Sequence, residues 1–399
     1  INYVCKLLNK DRDIKIVDIE CEKEMEEVMK AVMVTKPGKL EIREVEKPKV
    51  ADEDLLLRVN MCGVCGTDVH MFYSEKPYPW MEQSYPYTPG HEIVGTIEEV
   101  GENFDGHDFL GEPITVGDRI APYPPIPCGK CYYCRYLMQP NLCKFPPLER
   151  KTPPLRGGFA EMKYIPKEQP IFKIPKDMPL EVAVLVEPFA TALRAVERSF
   201  QPGVPDRFEG MGPGKTVVVQ GSGTIGLLSV IVSKLCGASK VIVVGAPEFR
   251  LKMCEEFGAD ISINIEEVKA PEDRIDEVKK QTPFKEGADV VIEAAGVPQA
   301  FAEGIQMVRR GGTYVEVGHF TYQGEVMINP QILCYKDIHL IGSWGYSAPE
   351  FGPAIRILNS LRRKIPLHKI VTHKFPLEKA LEAFETARKW NCMKAVIVP

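Results

Sequence analysis

The run Thr216-Val217-Val218-Val219-Gln220-Gly221-Ser222-Gly223-Thr224-Ile225-Gly226 decides the architecture of this chain. A short apolar strand ends in a Gly-x-Gly-x-x-Gly turn, which opens a helical stretch from Thr224 to Leu235. The first glycine permits a tight turn, and the second lets backbone approach a pyrophosphate. The third allows the helix to pack closely on the strand. Free N–H groups at the helix start carry partial positive charge, which suits phosphate. Gly221, Gly223, Thr224, Ile225 and Gly226 are therefore expected to cradle a dinucleotide. A glycine turn without a ligand is the competing reading.

Downstream the rhythm is strand, helix, strand. Val241 to Val244 reads as a strand, and Glu248 to Phe257 as a helix stopped by Gly258. Further strands are expected at Ile261 to Ile263, Asp289 to Ile292 and Thr313 to Val317. Strands that are apolar throughout and alternate with helices imply a parallel sheet covered on both faces. The second strand of such a unit should end in an acid for the adenosine ribose of NAD. Here Gly245 stands in that place. Glu248 is the nearest acid that a loop can bring to the ribose, and Arg250 is placed either to meet a 2′-phosphate or to be a plain surface residue. NAD is the expected coenzyme, with NADP left open.

Upstream, residues 30 to 187 are strand-and-loop text dense in proline, with Pro122, Pro124, Pro125 and Pro127 before a cysteine cluster and Pro146, Pro147, Pro153 and Pro154 after it. Prolines at that density exclude regular central strands and suggest a lobe that needs outside support. Residues 1–28, rich in charge from Asp18 to Glu27, read as an extension, either helical or packed on the surface.

At 399 residues the chain is long enough for two domains. Fifty basic against 55 acidic side chains leave a net charge of -5, which argues against a dedicated binder of nucleic acid or anionic membrane. No apolar run approaches the length of a membrane span. Early charges at Lys10 to Asp13 do not fit a signal peptide, so a cytoplasmic location is expected. In that setting the 12 cysteines read as thiols or metal ligands rather than disulfides.

Cys128, Cys131, Cys134 and Cys143 offer four thiolates at spacings suited to one tetrahedral zinc. A closed shell of four sulfurs leaves no place for chemistry, so this ion is expected to be structural. A second set is dispersed: Cys62 and Cys65, the segment Thr67-Asp68-Val69-His70, then Gly90-His91-Glu92, and Glu187 far downstream. Taken singly, each of these is as readily a core, surface or helix-end residue as a ligand.

Together these segments, the four-cysteine lobe and the glycine turn resemble the zinc-dependent medium-chain dehydrogenase/reductase family of alcohol and polyol dehydrogenase type. The resemblance runs over nearly all of residues 29–399, with the motifs in family order. It implies an α/β chain with a GroES-like, β-rich catalytic domain over 29–187 and 342–399. The structural-zinc lobe 128–143 lies within that domain, and a Rossmann doubly wound domain occupies 188–341. It further implies that Cys65, His91 and Glu187 hold a catalytic zinc, with Glu92 as an exchangeable fourth ligand, giving two zinc ions per chain. Cys62 is not expected to be a ligand. Glutamate at the third place looks like the polyol, threonine and secondary-alcohol branches.

The same resemblance assigns Thr67 and His70 to a proton relay and Asp68 to orienting the ligand histidine. Thr191 is placed behind the nicotinamide, the Val317-Gly318 backbone on the carboxamide, and Lys394 near the pyrophosphate. Three departures stand out. The Cys134 to Cys143 gap is one residue longer than the family's usual spacing, Gly66 replaces a cation that some members use at the pyrophosphate, and the Pro202 to Gly214 link is extended.

The implied reaction is hydride transfer between a secondary alcohol or polyol, or the matching ketone or aldehyde, and NAD(P). Zinc lowers the pKa of bound water from about 15.7 to about 7, worth about 12 kcal/mol, whereas a positioned base contributes about 3–5 kcal/mol. Zinc therefore carries the larger share. A homodimer or homotetramer is implied, and the expected partner is a small alcohol or ketone. Two other readings stand beside this one: an NADP-linked carbonyl reductase for a larger substrate, and a non-catalytic nucleotide-binding protein on the same fold. Tyr73, Tyr78, Trp80, Tyr85 and Tyr87 either line a substrate cleft or pack.

Overall fold

The computed structural model describes residues 27–74, 85–143, 157–200 and 210–399. The extension over 1–26, the aromatic positions Tyr78 and Trp80, and most of the 202–214 link lie outside the described residues.

Strands β1 (Val28–Lys36) and β2 (Lys39–Glu46) form an antiparallel hairpin. The next strands are β3 (Leu55–Gly63), β4 (Glu92–Val100), β5 (Arg119–Pro122), β6 (Met162–Ile165) and β7 (Ile171–Lys173). Six parallel strands follow: β8 (Thr216–Gln220), β9 (Lys240–Gly245), β10 (Ile261–Asn264), β11 (Ala288–Glu293), β12 (Val308–Glu316) and β13 (His339–Gly342). The chain then returns, and β14 (Val371–Phe375) and β15 (Lys394–Ile397) join the first sheet in the order β14-β15-β3-β4-β5-β7, with β6 also on β3.

The parallel sheet has the order β10-β9-β8-β11-β12-β13. Valines and isoleucines of β8, β9 and β11 are buried on both faces, as a sheet covered by helices requires. Strand order reverses between β8 and β11, which opens a crevice beyond their carboxyl ends, the usual place for a ligand in such sheets. The glycine turn after β8 and Ala294 after β11 flank that crevice, and Ala294 donates its N–H to the Gln220 carbonyl at 2.8 Å. The predicted strand Thr216 to Gln220 and helix Thr224 to Leu235 match the observed bounds. The expected strand at Thr313 is longer than its apolar core, because β12 begins at Val308 and carries Arg309 and Arg310.

The helix Val186–Glu197 joins the two sheets. Val186, Phe189, Ala190 and Leu193 belong to one buried cluster that also holds Met61 and Val94 of the first sheet and Val217 and Val219 of the second. Its other face carries Glu187 and Thr191, four residues apart and hence side by side, into the cleft between the sheets. No helix among the described residues is long and apolar enough to cross a membrane.

Candidate active site and metal centres

Among the described residues three side-chain clusters have the donors and spacing of metal sites: two hold cysteines, and the third is Glu293, Glu316 and His319. In the first, Cys128, Cys131, Cys134 and Cys143 bring their sulfurs within 4.8 Å of one another. The pairs Cys128–Cys134 and Cys131–Cys143 are both 3.9 Å apart. That is too long for a disulfide, whose sulfurs are about 2 Å apart. Four Zn–S bonds of about 2.3 Å at tetrahedral angles imply sulfurs about 3.8 Å apart. Burial and the neighbouring thiols push Cys134 up to about 12, a penalty that a cation removes. The cage therefore fits a zinc ion. Short local elements build it: Cys131 caps the helix Tyr132–Arg135, and the 3-10 turn Pro140–Leu142 delivers Cys143.

The second cluster is assembled from distant segments. Cys65 caps the helix Gly66–Tyr73, and His91 directly precedes β4. Gly63 and Glu92 are paired across β3 and β4, so both segments emerge at one end of the sheet. Ligand atoms of Cys65, His91 and Glu92 lie within 4.8 Å of one another. Asp68 braces them. Its Oδ2 accepts the Cys65 N–H at 3.0 Å, its Oδ1 accepts the Gly90 N–H at 3.1 Å, and Oδ1 lies 3.4 Å from His91 Nδ1. Burial works against this carboxylate, but the charge of His91 and these hydrogen bonds hold it below the ordinary range. A thiol, an imidazole and carboxylates suit zinc.

Glu187 lines the same cleft, yet it is not the carboxylate grouped with Cys65 and His91. Its Oε1 accepts the Tyr346 hydroxyl at 2.6 Å, and burial pushes it up to about 7. Tyr346 is itself tied, since its carbonyl accepts the Tyr123 hydroxyl at 2.7 Å. Glu92 occupies the inner position and is paired with Lys394, whose Nζ lies 2.6 and 2.7 Å from the two carboxylate oxygens. Cys62 is buried and not grouped with the ligands, with its thiol 3.7 Å from the Gly63 carbonyl.

Lys394 turns inward, and its ammonium reaches both Glu92 oxygens and the Val64 carbonyl at 3.2 Å. Arg250 is the cation beside the glycine turn. Its Nε and Nη2 donate to the Cys392 carbonyl at 2.9 and 2.6 Å, while Nη1 faces Gly223. It is thus not a solvated surface residue. Glu248 is exposed and accepts from Asn264 Nδ2 at 3.2 Å.

Gly245 has no room for a side chain, because a Cβ there would lie 2.7 Å from Ser222 Oγ and 2.9 Å from Ser222 N. Gly226 is equally constrained, since a Cβ there would run into the Gly221 carbonyl. Gly221 adopts φ +96, the left-handed turn expected of the first glycine.

Thr67, His70, Thr191, Ile225, Val317 and Gly318 line one cleft of about 370 Å³ with Cys65, His91 and Glu187. An adjoining cleft shares Cys65, His70 and Ile225 and adds Gly223, Thr224 and Arg250. Thr224 Oγ1 reaches across to the Met393 carbonyl at 2.7 Å. The N–H groups of Val317 and Gly318 both donate to the Glu293 carbonyl, at 3.0 and 2.9 Å. A carboxamide would therefore meet carbonyl groups there, not the amides.

Aromatic lining comes from Phe320, Trp344 and Tyr346. Tyr85 and Tyr87 instead pack against the β3–β4 core, and Tyr73 borders the adjoining cleft. Sequence reading missed Tyr346, Thr321 and the cluster of buried Glu293 with half-buried Glu316 and His319. Tyr346 and Thr321 have partners 159 and 251 positions away, whereas His319 meets Glu316 three residues back and Glu293 on the neighbouring strand.

Two family models match. Residues 51–176 match the alcohol dehydrogenase GroES-like domain, and residues 224–360 match the zinc-binding dehydrogenase domain. The chain is 34% identical to L-threonine 3-dehydrogenase of Pyrococcus horikoshii over 94% of its own length and 99% of that protein's. It is 31% identical to sorbitol dehydrogenase of Bacillus subtilis over 93% and 97%. The crystal structure of a zinc-binding dehydrogenase from Sinorhizobium meliloti, bound to NADP, is similar at TM-score 0.79 and 28% identity, covering 94% of this chain and all of that one.

Proposed function

The chain belongs to the zinc-dependent medium-chain alcohol and polyol dehydrogenases, and from that premise we propose how its residues divide the work. The enzyme transfers a hydride between a secondary alcohol or polyol, or the matching ketone, and NAD(P). That membership sets aside the non-catalytic alternative. The observation that carries the assignment of roles is that Cys65, His91 and Glu187 share one cleft with Thr191, Ile225 and Val317 beside the glycine turn.

Zinc held there supplies Lewis acidity, which brings the pKa of bound water from about 15.7 to about 7. Cys65 and His91 would be its protein donors, with Glu92 on the inner side and Glu187 on the cleft side offering the carboxylates for the remaining protein ligand. Asp68 fixes the ring of His91, and Lys394 balances the buried charge of Glu92. Tyr346 holds Glu187 ready at the cleft wall. Thr67 and His70 carry the substrate proton outward. The glycine turn would hold NAD, Thr191 and Val317 would flank its ring, and the coenzyme would supply the hydride acceptor.

NAD is favoured over NADP only modestly. Gly245 offers no carboxylate to repel a 2′-phosphate, and Arg250, tied to the Cys392 carbonyl through Nε and Nη2, keeps only Nη1 toward the glycine turn. The NADP in the Sinorhizobium relative supports acceptance of both. The four-cysteine cage holds the second zinc of each chain, and the active form is a homodimer or homotetramer in the cytoplasm. Metal analysis should return two zinc ions per chain, and a panel of polyols and secondary alcohols with each coenzyme identifies the substrate. One zinc ion or none in active protein, or strong NADP preference, overturns these assignments.

A further inference from the structure

The segment Val317 to Gln323, which follows β12, is pinned at one end and reaches the other sheet's half of the molecule at the other. Glu293 is fully buried, and its Oε1 accepts the N–H groups of Ala295 and Gly296, both at 2.8 Å. His319 Nδ1 lies 2.9 Å from Glu316 Oε1 and 3.4 Å from Glu293 Oε2. Hydrogen bonds to these carboxylates push His319 up to about 10, so it bridges the ends of β11 and β12 as a cation. Phe320 then stacks on Trp344 with ring centroids 4.3 Å apart.

Thr321, only 4% exposed, comes next, and its Oγ1 lies 2.5 Å from His70 Nδ1. Among the described residues the ring meets this hydroxyl, and no hydrogen bond joins it to Thr67. Gln323 Nε2 donates to the same oxygen at 3.1 Å. A hydroxyl has one hydrogen, and an amide nitrogen can only donate. With Gln323 donating in, the hydroxyl keeps its hydrogen and one lone pair, and that hydrogen is free to point to His70. Nδ1 is then the acceptor, and the neutral ring carries its hydrogen on Nε2.

We propose that Thr321 is a positioning residue for proton transfer: its hydroxyl, oriented by Gln323 and anchored by the Glu293–His319–Glu316 cluster, holds His70 as the Nε2–H tautomer across the cleft. The inference rests on the reading of His70 as a proton carrier. With its hydrogen on Nε2, His70 can take a proton only at Nδ1, from the Thr321 hydroxyl, which is reloaded from the cleft it lines, and it releases the other from Nε2, so a mixed tautomer population slows each passage.

Nitrogen-15 NMR of the zinc-loaded enzyme, with histidines labelled, reads the tautomer directly. The seven histidines of the chain make the spectrum tractable, and His70→Ala assigns the signal. Thr321→Val should mix the two tautomers and lower kcat about tenfold, the weight of one hydrogen bond, with little change in the coenzyme KM. Thr321→Ser should restore both. Gln323→Met, at an exposed position that folding does not need, should move the tautomer population the same way by a smaller amount. If His70→Ala slows turnover but Thr321→Val and Gln323→Met leave kcat and the His70 signal unchanged, the inference fails and the relay stands. If His70→Ala leaves turnover unchanged, the relay reading itself fails. A wild-type His70 signal from the Nδ1–H tautomer also overturns the proposal.

Discussion

The four-cysteine lobe and the catalytic cleft both gather metal donors, but they do so over different distances. The lobe takes its four sulfurs from Cys128 to Cys143, and short turns bring them together. The cleft draws Cys65, His91 and Glu187 from three separate elements and steadies them with residues still farther off. Tyr346 is 159 positions from Glu187, and Lys394 is 302 from Glu92. A local site depends on its metal for order, whereas a site built across two sheets borrows order from their cores. Metal loss should therefore unfold the first and merely silence the second.

The largest expected effect tests that contrast directly. Cys65→Ser should cut turnover by several orders of magnitude while the melting temperature hardly moves. Cys131→Ser should instead lower soluble yield and thermal stability, because structural zinc contributes folding free energy, on the order of 10 kcal/mol in small peptides and less in an attached lobe. Melting temperature, zinc content and turnover of both variants decide it. A large melting shift in Cys65→Ser with Cys131→Ser still folded would reverse the two assignments.

Next in size is Lys394→Met. It strands the buried carboxylate of Glu92, and breaking such a pair costs about 3–5 kcal/mol. At this chain size that corresponds to a melting shift on the order of 10 °C. Adding Glu92→Gln should recover part of the loss, and a double variant no better than the single one would contradict a paired role.

Tyr346→Phe removes one hydrogen bond to a carboxylate, so kcat/KM should fall about tenfold. Zinc in the cleft should become easier to chelate, while zinc in the cysteine lobe should not. Equal lability at both sites would show that Tyr346 does not act through Glu187.

The smallest effect separates the regions by pH. His319 is raised from an ordinary 6.5 to about 10, so its contribution to stability is fully present below about 6.5 and disappears as pH rises through about 10. His319→Gln should melt a few degrees below the wild type at pH 6 and together with it above pH 10. A gap that stays constant over that range would mean that the ring contributes packing, not charge.

Much of this molecule was legible in the amino-acid sequence because the deciding interactions are local. An apolar strand followed by Gly221-Ser222-Gly223 specifies a turn, a helix start and a phosphate cradle within one segment, and the bounds of β8 and its helix followed. Four cysteines within sixteen residues specify a cage in the same way. Family likeness supplied Cys65, His91 and Glu187, which no spacing rule links. Tertiary structure alone decided where the long charged side chains go. Lys394 turned inward because Glu92 is buried and needs a counter-charge, and Arg250 settled on a backbone carbonyl. Gly245 lost its space to Ser222, and Thr321 reached His70 from the opposite sheet. A buried charge or hydroxyl takes whichever partner the packed sheets bring within about 3 Å, and a linear sequence does not encode that distance.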